Sequence, residues 1–236
     1  TNAASVEASF AAGILSTNQQ VEVQIENSGN MGTINATSYS PGGILAWVYF
    51  SSATINNCFN TGSIYKASTE DYGGGILGYS ALYNSGNYVT ITNCYNAGAI
   101  SGGSTAMMDP IVPASYIMPG ATADGYNTDL LTMSNCYFAS DINAAFSPLD
   151  GVSTLQSSSM KTEDFTNKLN NGQAAKYWIF VDGLNDGYPV PLGSEATAVK
   201  GVEISEGRAQ VEMFERGGGG VNWVSVPGMK IIRKGG

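Results

Sequence analysis

The feature that most constrains the fold of this chain is an internal repeat of short, strand-like segments. Residues 25–34 align without a gap with residues 55–64, which lie 30 positions later. Residues 91–100 follow after a further 36 positions, and residues 133–142 form a degenerate fourth copy after a further 42. A second marker alternates with these copies, and its members are Gly13-Ile14-Leu15, Gly43-Ile44-Leu45, Gly75-Ile76-Leu77 and the worn Ile111-Val112.

Each copy has the pattern of short strands separated by turns. Polar and apolar residues alternate over residues 21–25 and 88–92, which is the period of a half-buried strand. One copy cannot bury its apolar face, whereas stacked copies bury it by pairing each strand with its equivalent one coil away. The repeat therefore predicts an all-β fold, a right-handed parallel β-helix (a β-solenoid) over residues 1–160, with about four to five coils. A β-propeller, the rival fold, needs four longer antiparallel strands per repeat.

In-register stacking places equivalent residues about 4.8 Å apart, which predicts two side-chain ladders. We expect amides to pair from coil to coil along the first ladder, formed by Asn27, Asn57, Asn93 and Asn135. The second is a row of small buried side chains, formed by Ser28, Cys58, Cys94 and Cys136. Parallel Cβ vectors are poor geometry for a disulfide, so we expect the thiols to be free and reduced, with no metal bound.

Residues 161–193 are predicted to cap the solenoid. Thr162 can cap a short helix with Glu163 and Asp164 in its first turn and Gly172 just past its end. Exposed strand edges and core side chains at a solenoid end need a cover. The apolar residues expected to form this plug are Phe165, Leu169, Trp178, Phe180, Tyr188 and Leu192.

Residues 194–236 are predicted to form a small β-strand domain. Four strand-like segments, at residues 199–205, 208–214, 221–226 and 229–233, are joined by short turns rich in glycine. About forty residues of this kind make only a small antiparallel sheet.

Composition excludes several function classes. The chain has 236 residues, no histidine and a net charge of −9, so histidine-based triads and most zinc sites are excluded. Every arginine lies after residue 200, and Lys66 is the one base among residues 1–160, which argues against nucleic-acid binding. No apolar run approaches the roughly 18 residues of a membrane-spanning helix. We expect no cofactor.

Carbohydrate cleavage is a leading use of β-helices, and the sequence offers little to support it. Lyases need acidic calcium ligands with a basic residue, and hydrolases need clustered carboxylates. Lys66 lies beside Glu70 and Asp71, which we interpret as an ordinary surface pair. We predict no catalytic residues. A carbohydrate-active enzyme stays open as an alternative, because Asp109, Asp124 and Asp129 share the long insertion at residues 102–130.

Aromatic side chains are the remaining candidates for a binding role, because flat rings stack on sugars or fill the pockets of a partner. The candidate face comprises Trp47, Tyr49, Phe50, Tyr72, Tyr79, Tyr83 and Tyr88. The long insertion adds Tyr116 and Tyr126, together with Asp109, Asp124 and Asp129.

The repeats resemble the GLUG-type repeats of large bacterial surface proteins, a group that includes adhesins and immunoglobulin A peptidases. The resemblance rests on the glycine-flanked steps at residues 43–46 and 75–78 and on the Asn-Cys-Tyr-Asn-x-Gly-x-Ile step at residues 93–100. No peptidase motif accompanies the repeats, so the peptidase activity is not carried over. Residues 227–232 (PGMKII) loosely resemble the C-terminal sorting domain of Bacteroidota secreted proteins.

This resemblance implies a non-catalytic, adhesin-like binding or spacer module that is extracellular or on the bacterial cell surface. The expected partner is a host glycan or an extracellular-matrix protein. A passive structural stalk without a ligand fits the repeat pattern as well, because a solenoid holds side chains on a rigid lattice without needing chemistry.

Overall fold

The computed structural model describes residues 2–19, 21–69, 71–82, 87–105, 107–113, 117–118, 130–181, 183–192, 201–205, 208–214 and 221–225. The chain divides into two compact units, Thr1–Leu192 and Gly193–Gly236. The described residues contain no helix with the length and apolar character needed to cross a bilayer.

The first unit is a succession of short strands. Those up to the third sequence repeat are β1 (Val6–Ala8), β2 (Leu15–Gln19), β3 (Val23–Glu26), β4 (Gly29–Asn30), β5 (Ile34–Ala36), β6 (Leu45–Tyr49), β7 (Ala53–Asn56), β8 (Phe59–Asn60), β9 (Ile64–Lys66), β10 (Gly73–Gly74) and β11 (Leu77–Ala81). The following ones are β12 (Val89–Thr92), β13 (Tyr95–Asn96), β14 (Ile100–Gly102), β15 (Met108–Asp109), β16 (Ile117–Met118), β17 (Leu131–Ser134), β18 (Cys136–Ala139) and β19 (Val152–Leu155).

These strands stack as parallel sheets, and the chain visits the sheets in the same order up to β18, after which β19 adds a fifth strand to the third sheet. The first sheet is β2-β6-β11-β16, the second is β3-β7-β12-β17, the third is β4-β8-β13-β18-β19 and the fourth is β1-β5-β9-β14. A two-stranded pair, β10-β15, precedes the first sheet. The predicted all-β parallel solenoid is confirmed, with about three turns instead of the four to five expected.

Strand register reproduces the alignment of the sequence repeats. Ile25 pairs with Ile55, Ile55 with Ile91 and Ile91 with Met133, so equivalent apolar residues form one inward column. Apolar side chains of the first sheet and of the Gly-Ile-Leu markers form two further inward columns, which close the interior. The buried members of this interior core are Ile25, Ile44, Leu45, Val48, Ala53, Ile55, Cys58, Ile76, Leu77, Leu82, Val89, Ile91, Cys94, Ile111, Val112, Cys136 and Phe138.

The predicted short helix is present after the last coil. Helix α1 spans Glu163–Asn170, and the Thr162 hydroxyl accepts a hydrogen bond from the Phe165 N–H at 3.2 Å. Strands β20 (Trp178–Ile179) and β21 (Val190–Pro191) pair antiparallel, with a 3-10 turn at Asn185–Gly187 between them. We call residues 160–192 the lateral segment.

The lateral segment packs along the side of the coils, whereas the sequence predicts it across their end. Its buried residues contact Phe59, Tyr95 and Tyr137, which project outward from successive strands of the third sheet. Together they form a second apolar cluster, separate from the interior core. Two expected plug residues, Phe180 and Leu192, are exposed by 41% and 43%. The remaining plug residues, Phe165, Leu169, Trp178 and Tyr188, are buried in this cluster.

The second unit contains a three-stranded antiparallel sheet, as predicted. Its strands are β22 (Gly201–Ser205), β23 (Arg208–Phe214) and β24 (Val221–Ser225). The fourth predicted strand, residues 229–233, lies outside the described residues.

Candidate binding surface

Aromatic rings cluster on the outer face of the first sheet. Trp47 in β6 is in register with Tyr79 in β11, and their ring centroids lie 5.2 Å apart in an edge-to-face arrangement. Side chains alternate along a strand, so Tyr49, two residues after Trp47, lies on the same face at 5.9 Å. Stacking of the coils thus builds a row of rings from residues 30 positions apart or more.

Four further rings extend this row. Phe10 stacks on Tyr39 at 4.4 Å and lies 4.7 Å from Trp47. Phe50 packs edge-on against Tyr49 at 4.3 Å, and Tyr72 lies 5.5 Å from Tyr79. We call the whole set the aromatic surface; it consists of Phe10, Tyr39, Trp47, Tyr49, Phe50, Tyr72 and Tyr79.

The aromatic surface is partly open, and the strands under it are uncharged. Tyr39 is 44% exposed, and every other member except Tyr72 is half-buried. The strands that form its base, β2, β6 and β11, carry no charged residue. Such a surface suits a ligand with a flat, neutral and partly apolar face.

Two local features of the aromatic surface are costly for the fold. The indole N–H of Trp47 is buried and has no hydrogen-bond partner among the described residues, which leaves a desolvated donor. Phe50 has a φ of 49°, a left-handed conformation that a bulky side chain rarely adopts. Strain of this kind is found at functional sites, and it adds to the case for this surface as a binding site.

The structure brings together five of the seven aromatic candidates and separates one from them. Tyr88 lies beside the second sheet, where its hydroxyl donates to Glu22 Oε1 at 2.8 Å, and this bond raises the pKa of Tyr88. Tyr83, Tyr116, Tyr126, Asp124 and Asp129 lie outside the described residues.

Sequence reasoning missed two members of the aromatic surface, Phe10 and Tyr39. Both precede a Gly-Ile-Leu marker: Phe10 comes three residues before Gly13, and Tyr39 comes four residues before Gly43. Tyr72 stands three residues before the next marker glycine, so an aromatic residue three or four positions before this glycine recurs on three coils. This recurrence was the signal in the sequence that could have identified Phe10 and Tyr39 as members of the aromatic surface.

Asp109 does not belong to an exposed acidic site. Its side chain is buried, and Oδ1 accepts hydrogen bonds from the N–H groups of Ile111 at 2.7 Å and Val112 at 3.0 Å. Burial raises the pKa of this carboxyl to about 7, although the two backbone donors act in the opposite direction. Asp109 therefore holds the turn after β15.

The buried carboxyl of Asp109 should make stability depend on pH. An unfolded aspartate titrates near pH 3.9, so between there and about pH 7 the folded state binds the extra proton. The stabilisation is therefore complete below about pH 4 and is lost as pH rises to about 7, by about 2–4 kcal/mol. We expect Asp109→Asn, which keeps the acceptor Oδ1, to raise Tm at about pH 8 and to change it little at about pH 4.

Asp141 provides a control, because its pKa is shifted in the opposite direction. The N–H and hydroxyl of Ser157 donate to its carboxylate at 2.7 and 2.5 Å, and these bonds lower the pKa of Asp141. Asp141→Asn should therefore lower Tm at neutral pH and have less effect in acid. Thermal unfolding of both variants across pH tests the assignment, and identical pH profiles for Asp109→Asn and the wild type would contradict it.

The predicted asparagine ladder is mostly wrong in its pairing. Asn27, Asn57, Asn93 and Asn135 all have φ between 50° and 52°, so they form the corner between the second and third sheets. Asn135 donates to Asn93 Oδ1 at 2.9 Å, but Asn93 donates to Asn56, and the buried Asn57 Oδ1 has no partner among the residues that the structure describes.

A continuous ladder exists three residues later. The Nδ2 of Asn2 donates to Asn30 Oδ1 at 2.8 Å, Asn30 donates to Asn60 at 2.7 Å and Asn60 donates to Asn96 at 2.7 Å. Each Nδ2 also donates to the carbonyl two residues ahead, as Asn60 does to Gly62 at 2.8 Å. A Cβ on Gly62 would lie 2.0 Å from the Gly32 carbonyl oxygen and 2.8 Å from Asn30 Nδ2, which explains the recurrent Asn-x-Gly. We call this the inner asparagine ladder.

The cysteine row lies where the sequence predicts it. Cys58, Cys94 and Cys136 are buried and free, and each thiol donates to the carbonyl two residues before it, at 3.3, 3.1 and 3.4 Å. Ser28 makes the same contact to Glu26 at 2.9 Å. Burial raises the pKa of Cys136 to about 12, so this thiol stays protonated at neutral pH.

The interpretation of Lys66 as part of a surface pair is wrong. Lys66 is fully buried, because it occupies an inward position of β9 in register with Ala36 and Gly102. Its ammonium donates to the Ser68 carbonyl, and a buried charge needs such partners. Among the described residues, no group of three or more Cys, Asp and Glu side chains could hold a metal ion.

Comparison with known proteins finds no matching family model, curated protein or solved structure. The resemblance to GLUG-type repeats and to a sorting domain therefore stays a prediction from the sequence.

Proposed function

We propose that this chain is a non-catalytic, adhesin-like binding module, and that its aromatic surface binds a neutral glycan. The observation that carries the proposal is the cluster of seven rings over three coils, with Trp47 at its centre. The faces of such rings stack on the C–H faces of sugars, and a rigid sheet holds them in place before the ligand arrives.

The electrostatics of the site favour a neutral ligand. The strands under the rings carry no charge, and residues 1–160 are acidic overall, so an anionic glycan gains nothing there. Asp109, the described acid of the long insertion, is committed to a turn, which supports binding over glycan cleavage.

We also propose that the module is secreted or displayed on the surface of a bacterial cell, with a host glycan as its partner. This part of the proposal rests on the repeat and tail resemblances, and a solenoid that presents side chains on a regular lattice suits display on a cell surface. An extracellular-matrix protein as partner, or a passive stalk, are outcomes that the binding experiment distinguishes.

The test is a glycan array, followed by calorimetry with the neutral oligosaccharides that bind. We expect Trp47→Ala to weaken binding at least about tenfold, because central aromatic anchors carry most of the energy of such sites. Tyr65→Ala is the matched control, because Tyr65 is an exposed ring, 48% accessible, on the fourth sheet. Circular dichroism checks that both variants keep the fold.

The other outcomes separate the alternatives. Binding that survives Trp47→Ala but is lost in the double variant Tyr116→Ala/Tyr126→Ala assigns the ligand to the insertion. Binding to matrix proteins alone replaces the glycan with a protein partner. No binding to any glycan or matrix protein favours the passive stalk and contradicts the proposal.

A further inference from the structure

Two polar side chains continue the outer face on which the aromatic surface lies. Strand register places Thr17 of β2 beside Trp47 of β6. In the same way, Gln19 lies beside Tyr49. Asn18, between the two polar residues, is buried and donates a hydrogen bond inside the coil. Because side chains alternate along a strand, Thr17 and Gln19 face outward with the rings, one strand spacing of about 4.8 Å away.

Both polar side chains are available to a ligand. Thr17 and Gln19 are exposed, and neither side chain forms a hydrogen bond with another residue in the described part of the chain. The Thr17 hydroxyl can donate one hydrogen bond and accept two, and the Gln19 amide has an acceptor oxygen beside two N–H donors. Neither group is charged, so this part of the outer face also suits a neutral ligand.

The equivalent position on the third coil offers no such group. Ala81 of β11 is in register with Tyr49 but is fully buried, and β16 pairs along the far side of β11. A ligand that lies on Tyr49 therefore meets a polar side chain on β2 and none at the equivalent position of β11. The outer face thus has an apolar part and a polar part, which follow one another along the direction in which the coils stack.

We propose that Thr17 and Gln19 select the glycan that the aromatic surface binds, an inference that rests on the proposed function. One sugar unit stacks on Trp47 and Tyr49. The next unit lies over β2, because the spacing between strands is close to the length of one sugar unit in an extended chain.

Hydrogen bonding at β2 defines the class of ligand. The planar Gln19 amide matches two adjacent hydroxyls of a sugar, since its oxygen accepts from one hydroxyl while its N–H donates to the other. The Thr17 hydroxyl supplies a further hydrogen bond to the same unit. The ligand is therefore a neutral, extended oligosaccharide with two adjacent free hydroxyls on the unit beside the stacked one.

The test is calorimetry with two tetrasaccharides, cellotetraose and tetra-N-acetylchitotetraose. They have the same linkage and length, but in the second an acetamido group replaces one of the two adjacent hydroxyls on each unit. We expect the wild type to bind cellotetraose at least about threefold more tightly. Gln19→Ala should weaken the binding of cellotetraose about threefold to tenfold and leave that of the acetylated chain unchanged. Trp47→Ala should weaken both.

Three further variants serve as controls. Gln24→Ala removes an exposed glutamine from the outward face of β3, on a different sheet, and should bind both tetrasaccharides as the wild type does. Thr17→Val removes a hydroxyl with little change of shape and should weaken cellotetraose about threefold. Thr17→Ser keeps the hydroxyl and should restore most of that loss.

The inference and the proposed function fail in different ways. A wild type that binds cellotetraose no better than the acetylated chain, or that binds neither, would overturn the inference. A Gln19→Ala variant that weakens both tetrasaccharides equally, or neither, would do the same. The proposed function fails instead when no glycan on the array binds, or when binding does not respond to Trp47→Ala.

Discussion

Replacing Asn60 with alanine is expected to lower the free energy of unfolding by roughly 3–5 kcal/mol. Asn60 is fully buried at the centre of the inner asparagine ladder. Its Oδ1 accepts from Asn30, and its Nδ2 donates to Asn96 Oδ1 and to the Gly62 carbonyl. The truncation removes three hydrogen bonds at once and leaves a space lined by polar atoms, and an orphaned buried group costs about 1–3 kcal/mol.

The neighbouring asparagines of the ladder should stay hydrogen-bonded in this variant, because each of them also has a partner on its own coil. Asn30 keeps the Gly32 carbonyl as an acceptor, and Asn96 keeps the Gly98 N–H as a donor. Asn35→Ala is the matched control: it removes the same group from a half-exposed position in β5 and should cost under about 0.5 kcal/mol. Urea unfolding followed by circular dichroism measures both variants. Equal values for the two would show that the ladder does not stabilise the solenoid.

The solenoid could be predicted because the alignment of the sequence repeats determines the register of its strands. Ile25, Ile55 and Ile91 align in the sequence and pair in the structure, since in-register stacking is what equal spacing of inward residues requires. The helix was predictable for a local reason, because Thr162 caps the N–H of Phe165 from within the same turn. Both inferences depend on contacts between residues that are close in the sequence or that occupy the same position in successive repeats.

The identity of the ladder could not be predicted in the same way. Asparagine recurs at two positions of the first three copies, for example Asn57 and Asn60, and spacing alone does not distinguish them. The backbone distinguishes them: Asn57 has a φ of 52° at a corner, whereas Asn60 lies in a strand with its amide facing the next coil. Side-chain direction therefore decides which position pairs.

Contacts between different coils, or between the coils and another segment, could not be predicted from the sequence either. Phe10 meets Trp47 only after a full turn of the solenoid, and the repeat does not specify the path of the corner between them. Lys66 looked like a surface residue because its neighbours in sequence are acidic, yet its inward position follows from the register with Ala36. Aromatic residues project outward at the same position of three coils, at Phe59, Tyr95 and Tyr137. This repeated position indicates that a segment of the chain covers that side of the solenoid.

Removing the indole of Trp178 should detach that covering segment. Trp178 is almost fully buried, with ring centroids 5.4 Å from Tyr95 and 6.4 Å from Phe59. The Tyr95 hydroxyl also donates to the Pro189 carbonyl at 2.6 Å, so this ring is tied to the lateral segment on two sides. We expect Trp178→Ala to cost about 3–5 kcal/mol, the usual range for deleting a buried aromatic side chain.

Trp178→Phe tests whether buried ring area or the exact shape of the indole holds the segment. The indole N–H has no partner among the described residues, so phenylalanine keeps most of the packing area and removes a desolvated donor. Its cost should stay under about 1.5 kcal/mol. A loss as large as that of the alanine variant would mean that the exact ring shape, rather than buried area, holds the segment.

Hydrogen exchange shows where the stability is lost. The lateral cluster and the interior core share no buried residue, so Trp178→Ala should speed exchange in α1, β20 and β21 while β7 and β12 stay protected. The rings of Phe59 and Tyr95 would then be uncovered on the third sheet, and the variant should bind a hydrophobic dye without losing its solenoid. Exchange that rises equally in β7 and β12 would contradict this, because it would make the segment part of a single cooperative unit with the coils.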